Sequence, residues 1–254
     1  MTTHLLAPGA LVCVPKSQAA DYQSRLDRDQ PRIAHLAAFA GPKKPRVLLH
    51  PDHITGKPAK LNWLFDQFPD RDLIFLDDDI EGVVLAYAER GESTKSKDPV
   101  HVAAFLQRTV HLARDMAVYF IGWGKSGNPS LYYSGLEPFT LTGYINGLAF
   151  GFLKGHGLRF DERLTAKADY DISLQNALRH RRCLRDNRYC FESRKTFRNP
   201  GGMSLLRNSL TEKRDLEILR KKWGPAIAVP RGGTSQNGAR GYAGVTRLEL
   251  KLPF

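Results

Sequence analysis

The sequence has few cysteines and no long hydrophobic run. Cys13, Cys183 and Cys190 are an odd number without the paired spacing of a metal site, so they indicate no disulfide framework. The longest apolar stretch, 139–153, is interrupted by polar residues and glycine, whereas a membrane-spanning helix needs about 20 apolar residues. Residues 1–16 lack the basic start and apolar core of a secretion signal. We therefore expect a reducing, cytoplasmic setting and no membrane partner.

Acidic side chains are scarce relative to basic ones. The 38 Lys and Arg residues oppose 26 Asp and Glu residues and give a net charge of +12, which attracts polyanions such as nucleic acid, nucleotides or an anionic membrane face. Most of the excess lies between 179 and 231, where about fifteen basic residues meet five acidic ones. Arginines alternate there with Tyr189, Phe191 and Phe197, which suits phosphate binding and stacking on bases. A solvated basic face with the aromatic residues in the core is the alternative.

The order of apolar segments predicts an α/β fold. Short apolar runs at 10–18, 46–50 and 72–79 read as strands, and helical spacing lies between them, most clearly over 57–69. The 254 residues are enough for one such domain. A strand and helix alternation implies a parallel sheet with a ligand site beyond the carboxyl ends of its strands.

Later segments extend this domain. Helical patterns cover 100–120, 173–185 and 210–224, and in the last of these Thr211 and Gly224 are expected at the two ends. We assign residues 1–230 to one domain with a basic C-terminal part. Residues 231–254 form a glycine-rich tail with alternation typical of a terminal strand.

Three consecutive aspartates, Asp77, Asp78 and Asp79, follow the third predicted strand. Carboxylates at alternate positions, Asp77 and Asp79, can face one hard cation, and Mg²⁺ or Mn²⁺ takes one or two carboxylates together with water and phosphate oxygens. A helix start or acidic turn, where the aspartates accept backbone N–H groups, is the alternative. Three in a row are more than capping requires.

A second acidic pair, Asp169 and Asp171, precedes a helical pattern. Either carboxylate could act as a general base on an acceptor hydroxyl. Alternatively, Asp171 or Ser173 is an ordinary helix cap. Since a cap needs one residue of the pair, Asp169 is the better candidate for the base.

These motifs together resemble the GT-A glycosyltransferases. The resemblance rests on a strand with a loop after Pro15, the segment GKPAKLN, the DxD-type LDDD and the DYD before a helix. It implies a Rossmann-like, mostly parallel sheet with flanking helices, in which DxD aspartates hold a metal on a nucleotide-sugar diphosphate and Asp169 deprotonates the acceptor. The substrate contacts that we assign on this basis are Pro15, Lys16, Lys60, Asn62, Asp77, Asp78, Arg198, Asn199, Gly201 and Gly202.

More narrowly, ADYDISLQNAL followed by RNPGGMS and LRKKWG resembles the TET/JBP-associated glycosyltransferases. That group contains base J glucosyltransferase and phage enzymes that modify DNA bases. The resemblance implies an inverting transfer of glucose from UDP-glucose to a hydroxymethylated pyrimidine such as 5-hydroxymethylcytosine in DNA, in the host cytoplasm if the protein is phage-encoded. A histidine commonly completes the GT-A metal site late in the chain, but none can be placed here, and His180 is expected on the surface.

Other functions stay open at this point. The same fold could transfer sugar to a glycan, lipid or protein, and a basic DNA-binding protein would explain the charge but not two aspartate clusters. A phosphatase of the haloacid dehalogenase type needs its nucleophile on an early strand, whereas a whole strand–helix–strand unit precedes Asp77. A base inside a duplex must be flipped out or reached in the major groove. Trp123, Tyr132 and Tyr133 could stack against a base or sugar, or belong to the core.

Overall fold

The computed structural model describes residues 11–20, 24, 46–77, 80, 82–85, 95–96, 99–124, 137–192, 208–229 and 248–251. Within these ranges the helices are α1 (Lys57–Gln67), α2 (Pro99–Asp115), α3 (Ala168–His180) and α4 (Ser209–Trp223). The strands are β1 (Leu11–Pro15), β2 (Arg46–His50), β3 (Leu73–Leu76), β4 (Gly82–Leu85), β5 (Lys95–Ser96), β6 (Phe120–Trp123), β7 (Phe139–Thr140), β8 (Ala149–Phe152), β9 (Leu184–Asp186), β10 (Tyr189–Glu192), β11 (Ile227–Ala228) and β12 (Glu249–Leu250). The predicted α/β class is confirmed.

The largest sheet of the described part has five strands in the order β3-β8-β6-β9-β7. β6 and β9 are parallel, whereas the other three neighbouring pairs are antiparallel. The predicted mostly parallel sheet is therefore wrong for these strands, which form a mixed sheet. The reason is β8, which is reversed between β3 and β6. A strand reached through the long, turn-rich segment after β6 can enter the sheet in either direction, and the apolar run alone does not fix which.

This arrangement still brings several chain segments to one edge. β3, β6 and β9 run in the same direction, because β8 is antiparallel to both β3 and β6. Their carboxyl ends therefore lie at the edge where β8 begins. β1 and β2 form a separate parallel pair, as expected from their sequence, and β4 lies between β10 and β5 in an antiparallel sheet.

Helix α1 starts where the sequence supplies both a turn and a helix initiator. Gly56 has φ of 83°, a conformation that side chains with a Cβ rarely adopt. Pro58 then occupies the first turn, where its missing N–H has no cost. The apolar residues Leu61, Leu64 and Phe65 are buried. Together these features fix where Lys57 emerges at the start of the helix.

Two apolar clusters cover the faces of the five-stranded sheet. One packs α2 against β4, β6 and β10, with Phe105 stacked on Tyr189 at 4.2 Å between ring centroids. The other joins α1 to β8 through Phe65 and Phe152. Such fully buried aromatic side chains contribute roughly 1.5–3 kcal/mol each to folding. No described helix is long and apolar enough to cross a membrane.

Candidate functional site

Lys57 joins two segments at the carboxyl edge of the sheet. Its Nζ lies 2.5 Å from Oδ1 of Asp77, directly after β3, and 2.6 Å from the carbonyl oxygen of Gly147, just before β8. The side chains of Lys57 and Asp77 are 32% and 36% exposed. This ion pair therefore lies at the surface of the site, within reach of a ligand, rather than in the core.

Asp169 lies on the other side of the same glycine. The N–H of Gly147 donates to Oδ2 of Asp169 at 3.2 Å, and the N–H of Tyr170 donates to Oδ1 at 3.0 Å. Asp169 is in the first turn of α3 and is half-buried. One residue, Gly147, therefore contacts both the lysine paired with Asp77 and the second predicted carboxylate.

Tyr144 adds a further contact to Asp169. Its hydroxyl donates a hydrogen bond to Oδ2, the oxygen that also accepts from Gly147. The ring stacks on Tyr170 with 4.5 Å between the centroids. Three donors thus hold the Asp169 carboxylate in one orientation, and hydrogen bonds to an ionised group are stronger than those between neutral groups.

Burial raises the pKa of the Asp169 carboxyl above its ordinary value. The hydrogen bond from Tyr144, the charges of Lys57 and Lys167 and the Tyr170 N–H act in the opposite direction. A carboxylate with a raised pKa is a stronger proton acceptor once it is ionised. These are the properties that a general base requires.

The loop that carries Tyr144 and Gly147 is positioned by a glycine in β6. A Cβ on Gly122 would collide with the side chain of Ile145, so the missing side chain lets Ile145 pack against the sheet. Ile145 is buried in the cluster around Phe150. Close packing of Ile145 therefore helps to set the positions of Tyr144 and Gly147 on its two sides in the chain.

Asp171, the second predicted base candidate, faces away from Tyr144 and Gly147. It is fully buried and accepts hydrogen bonds from Trp223 Nε1 at 2.7 Å and Gln175 Nε2 at 2.6 Å. Lys222 Nζ also lies 2.7 Å from its Oδ1. These contacts join α3 to α4. Of the two predicted acidic residues, it is therefore Asp169 that lies beside Tyr144 and Gly147.

Of the predicted nucleotide contacts in GKPAKLN, Asn62 has hydrogen-bond partners within the fold and Lys60 lies near β1. The Asn62 amide donates to the carbonyl of Phe160 and to Glu162, and accepts from the N–H of Phe160, so it ties α1 to the segment before α3. Burial raises the pKa of the Cys13 thiol in β1, and the charge of nearby Lys60 offsets part of that rise. The lysine beside Asp77 is Lys57.

Pro15 and Lys16 lie at the carboxyl end of the β1–β2 pair. Pro15 is opposite His50 in the register, and Lys16 is exposed in the short 3₁₀ turn that follows. The next residue, Ser17, donates its N–H and its hydroxyl to Asp52. These hydrogen bonds and the nearby positive charge of Lys16 hold the pKa of Asp52 below its ordinary value.

Several predicted residues lie outside the described part of the chain. They are Asp78, Asp79, Tyr132, Tyr133, Phe197, Arg198, Asn199, Gly201 and Gly202. Most of the tail, 231–247, also lies outside, whereas β12 pairs with β11 as a short strand. In the described ranges no group of three or more His, Cys, Asp and Glu residues could hold a metal.

The aromatic residues proposed for stacking are core residues where they are described. Trp123, Tyr189 and Phe191 are 2%, 9% and 4% exposed and belong to the cluster around Phe105. For Tyr189 and Phe191 in the basic segment 179–231, the alternative interpretation of a basic face with the aromatic residues in the core therefore fits. His180, predicted on the surface, is half-buried. Its ring packs against Tyr119 at a tilt of 32°, and its Nε2 lies 2.7 Å from the carbonyl oxygen of His156.

Sequence reasoning missed Lys57, Tyr144 and Gly147. Lys57 lies in the motif GKPAKLN, but its spacing did not favour it over Lys60. Tyr144 and Gly147 lie in an apolar stretch whose register against the sheet is set by Ile145 and Gly122. Nothing in their spacing marks that long-range contact.

Comparison with protein-family models, curated proteins and solved structures gave no match. The interpretation of the site therefore depends on its own geometry and on the motifs of the sequence.

Proposed function

We propose that the protein is a metal-dependent GT-A glycosyltransferase that moves a sugar, glucose from UDP-glucose, to the hydroxymethyl group of a pyrimidine in DNA with inversion. One observation carries the proposal. Asp77 and Asp169, which the motifs mark as the metal-side and acceptor-side carboxylates, lie on the two sides of Lys57 and Gly147. A transfer reaction needs a positive centre for the leaving diphosphate beside a base for the incoming hydroxyl.

The donor chemistry of this edge fits a hard divalent cation. Asp77 supplies carboxylate oxygens at a partly exposed position. The Gly147 carbonyl oxygen, like Asp77, accepts a hydrogen bond from the Lys57 ammonium, so both oxygens face a positive charge. Mg²⁺ and Mn²⁺ bind oxygen ligands of these kinds. Asp77, together with Asp79 from the same motif, would hold the ion. When bound, it supplies charge that offsets the negative charge on the departing nucleotide.

Four residues of the chain have separate roles in the proposed transfer. Lys57 provides a fixed positive charge for the diphosphate. Asp169 takes the proton from the acceptor hydroxyl while that oxygen forms a bond to the anomeric carbon and the bond from that carbon to the diphosphate breaks. Tyr144 and the Gly147 N–H keep Asp169 oriented during this step. Preorganised groups of this kind do not need to reorganise as charge develops.

The charge of the chain supports DNA as the acceptor. Ten of the twelve excess positive charges come from 179–231, where fifteen basic residues less five acidic residues give +10. A polyanionic acceptor is attracted by such a field. A hydroxymethyl group on C5 of a pyrimidine projects into the major groove, where it is accessible with less disruption than the Watson–Crick edge.

Mass spectrometry of modified DNA tests this function. With UDP-glucose, Mn²⁺ and hydroxymethylcytosine DNA, we expect the wild-type protein to add one hexose per modified base. Asp169→Asn should lower the rate about 10²- to 10⁴-fold, the usual contribution of a general base, and leave UDP binding intact. Asp66→Asn is the control, since Asp66 is an exposed carboxylate paired with Arg159.

Two results would overturn the proposal. Hexose transfer to a glycan, lipid or protein with none to DNA would remove the acceptor assignment. No calorimetric binding of UDP in the presence of Mn²⁺, combined with tight DNA binding by wild type and Asp77→Asn alike, would favour a DNA-binding protein without catalysis.

A further inference from the structure

Helix α4 buries two of its three acidic side chains and exposes its basic ones. Glu212 and Asp215 are buried, at 1% and 0% exposure. The exposed face carries a basic stripe, defined as Lys213, Arg214, Arg220 and Lys221, with Glu217 as its one exposed carboxylate. Because residues three, four, seven and eight apart share a helix face, these side chains form one continuous row.

The buried acids of α4 are neutralised within the fold. Glu212 forms an ion pair with Lys167 at 2.6 Å, and both side chains are 2% exposed. Oδ2 of Asp215 accepts the backbone N–H groups of Thr165, Ala166 and Lys167 at 2.6–3.1 Å. The carboxylates of Glu212 and Asp215 therefore point inward. The four basic side chains of the stripe, against the single carboxylate of Glu217, retain a net positive charge toward solvent.

The inner face of α4 is fixed to the segment that begins α3. Lys222 and Trp223 both contact Asp171, two residues after Asp169, and Lys167 lies two residues before it. A rigid helix in contact with this segment carries the basic stripe at a fixed position relative to the candidate base. A polyanion bound to the stripe would therefore be held in a defined position relative to the site.

The dimensions of the basic stripe match a duplex. From Lys213 to Lys221 the helix rises about 12 Å, a length over which double-stranded DNA carries about seven negative charges. Side chains of lysine and arginine on a helix can reach phosphates on such a backbone, which positions a protein on DNA without reading its sequence.

We propose that the basic stripe of α4 binds the phosphate backbone of duplex DNA and holds the acceptor duplex beside the Lys57–Asp169 site. The inference rests on the proposed function for the role of the duplex as acceptor. The binding itself is independent of transfer, so it is tested without donor or metal.

The test measures the salt dependence of DNA binding by fluorescence anisotropy with an unmodified duplex. Lys213→Gln with Lys221→Gln removes two positive charges and keeps good helix formers. If both lysines contact phosphates, the slope of log K against log salt should fall by about 2 relative to wild type. Circular dichroism and thermal melting of the variant establish that it is folded.

A matched control removes two charges from the opposite edge of the sheet. Arg71 precedes β3 and Lys154 follows β8, and both are exposed. Arg71→Gln with Lys154→Gln should leave the slope at the wild-type value. Equal slopes for the wild type and the α4 variant, or equal losses in both variants, would overturn the inference.

Two further outcomes distinguish DNA binding by the basic stripe from membrane binding and from a failure of the proposed function. Binding of the wild type to vesicles containing phosphatidylserine, but not to DNA, would overturn it in favour of a membrane surface. If the slope falls as expected but no sugar is transferred to modified DNA, the proposed function fails and the docking surface stands.

Discussion

Three donors converge on the carboxylate of Asp169, and this arrangement decides how the group titrates. Burial favours its protonated form, whereas the Tyr144 hydroxyl and two backbone N–H groups favour the ionised form. The charged groups that face it are Lys57 from the start of α1 and Lys167 from the start of α3. In the proposed mechanism Tyr144 is therefore a positioning residue that also favours the ionised form of Asp169.

We expect Tyr144→Phe to shift the acidic limb of the pH profile of kcat/KM to higher pH. The hydrogen bond favours the ionised carboxylate, so its loss raises the pKa of Asp169 further, and the base loses its proton at higher pH. Below the limb the variant should lose more activity relative to the wild type than at higher pH, where Asp169 is ionised in both proteins and only the positioning effect of the hydroxyl is missing. The measurement is the initial rate of hexose transfer across a pH series.

Tyr170→Phe is the matched control for Tyr144→Phe. It also removes a phenol hydroxyl from the stacked pair, but Tyr170 contacts Asp169 through its backbone N–H. Its limb should coincide with that of the wild type. A Tyr144→Phe limb at the wild-type pH or below would contradict the assigned role of the hydroxyl.

At the residue scale, the sequence allowed prediction of groups that follow a strong local pattern. Asp77 follows an apolar strand and Asp169 precedes a helix, so both could be located from neighbouring residues. Lys57 could not be separated from Lys60 by spacing alone. The choice depends on the turn at Gly56 and on a hydrogen bond to Gly147, which is ninety residues away in the chain.

At the scale of elements, α4 is connected to the segment before α3 by buried charge as well as by apolar contacts. Lys167 is fully buried, pairs with Glu212 and lies 5.7 Å from the ring centroid of Tyr170. Taking two such charges out of water is costly, so the pair depends on both partners. The apolar contacts of Leu174 and Leu219 complete this interface.

We expect Glu212→Leu to destabilise the fold by about 3–5 kcal/mol, because it removes the carboxylate that is paired with the buried Lys167 ammonium. The double variant Lys167→Met with Glu212→Leu should recover most of that loss, since an apolar pair of similar volume removes the buried charge. Urea unfolding gives both free energies. A single variant as stable as the wild type would show that the lysine has another way to relieve its charge.

The existence of most elements could be predicted, whereas their pairing could not. Helical spacing identified α1, α2 and α4, and Gly224 ends α4 as expected. The start of α4 differs, because Asn208 is the cap and Thr211 completes a reciprocal capping box. The reversed direction of β8 depends on contacts across the sheet, which an apolar run does not encode.

At the scale of the whole molecule, the proposed site links donor binding to the stability of the native chain. The segments that form it come from the end of β3, the start of α1, the loop before β8 and the start of α3. Unfolding separates them, so a donor and metal that bind there bind the native state alone. Such a ligand stabilises the protein according to its concentration relative to its dissociation constant.

We expect UDP-glucose with Mn²⁺, each at about 100 times its dissociation constant, to stabilise the protein by about 2.7 kcal/mol for one coupled site. For a chain of this size that corresponds to a rise in Tm of about 5–10 °C. Asp77→Asn removes one carboxylate charge from the metal side, so most of the Mn²⁺-dependent part should disappear. Asp66→Asn, which changes an exposed carboxylate on the same helix as Lys57, should retain the full shift. An undiminished shift in Asp77→Asn would mean that donor and metal bind elsewhere, because loss of a ligand at the true site must lower the affinity of the native state.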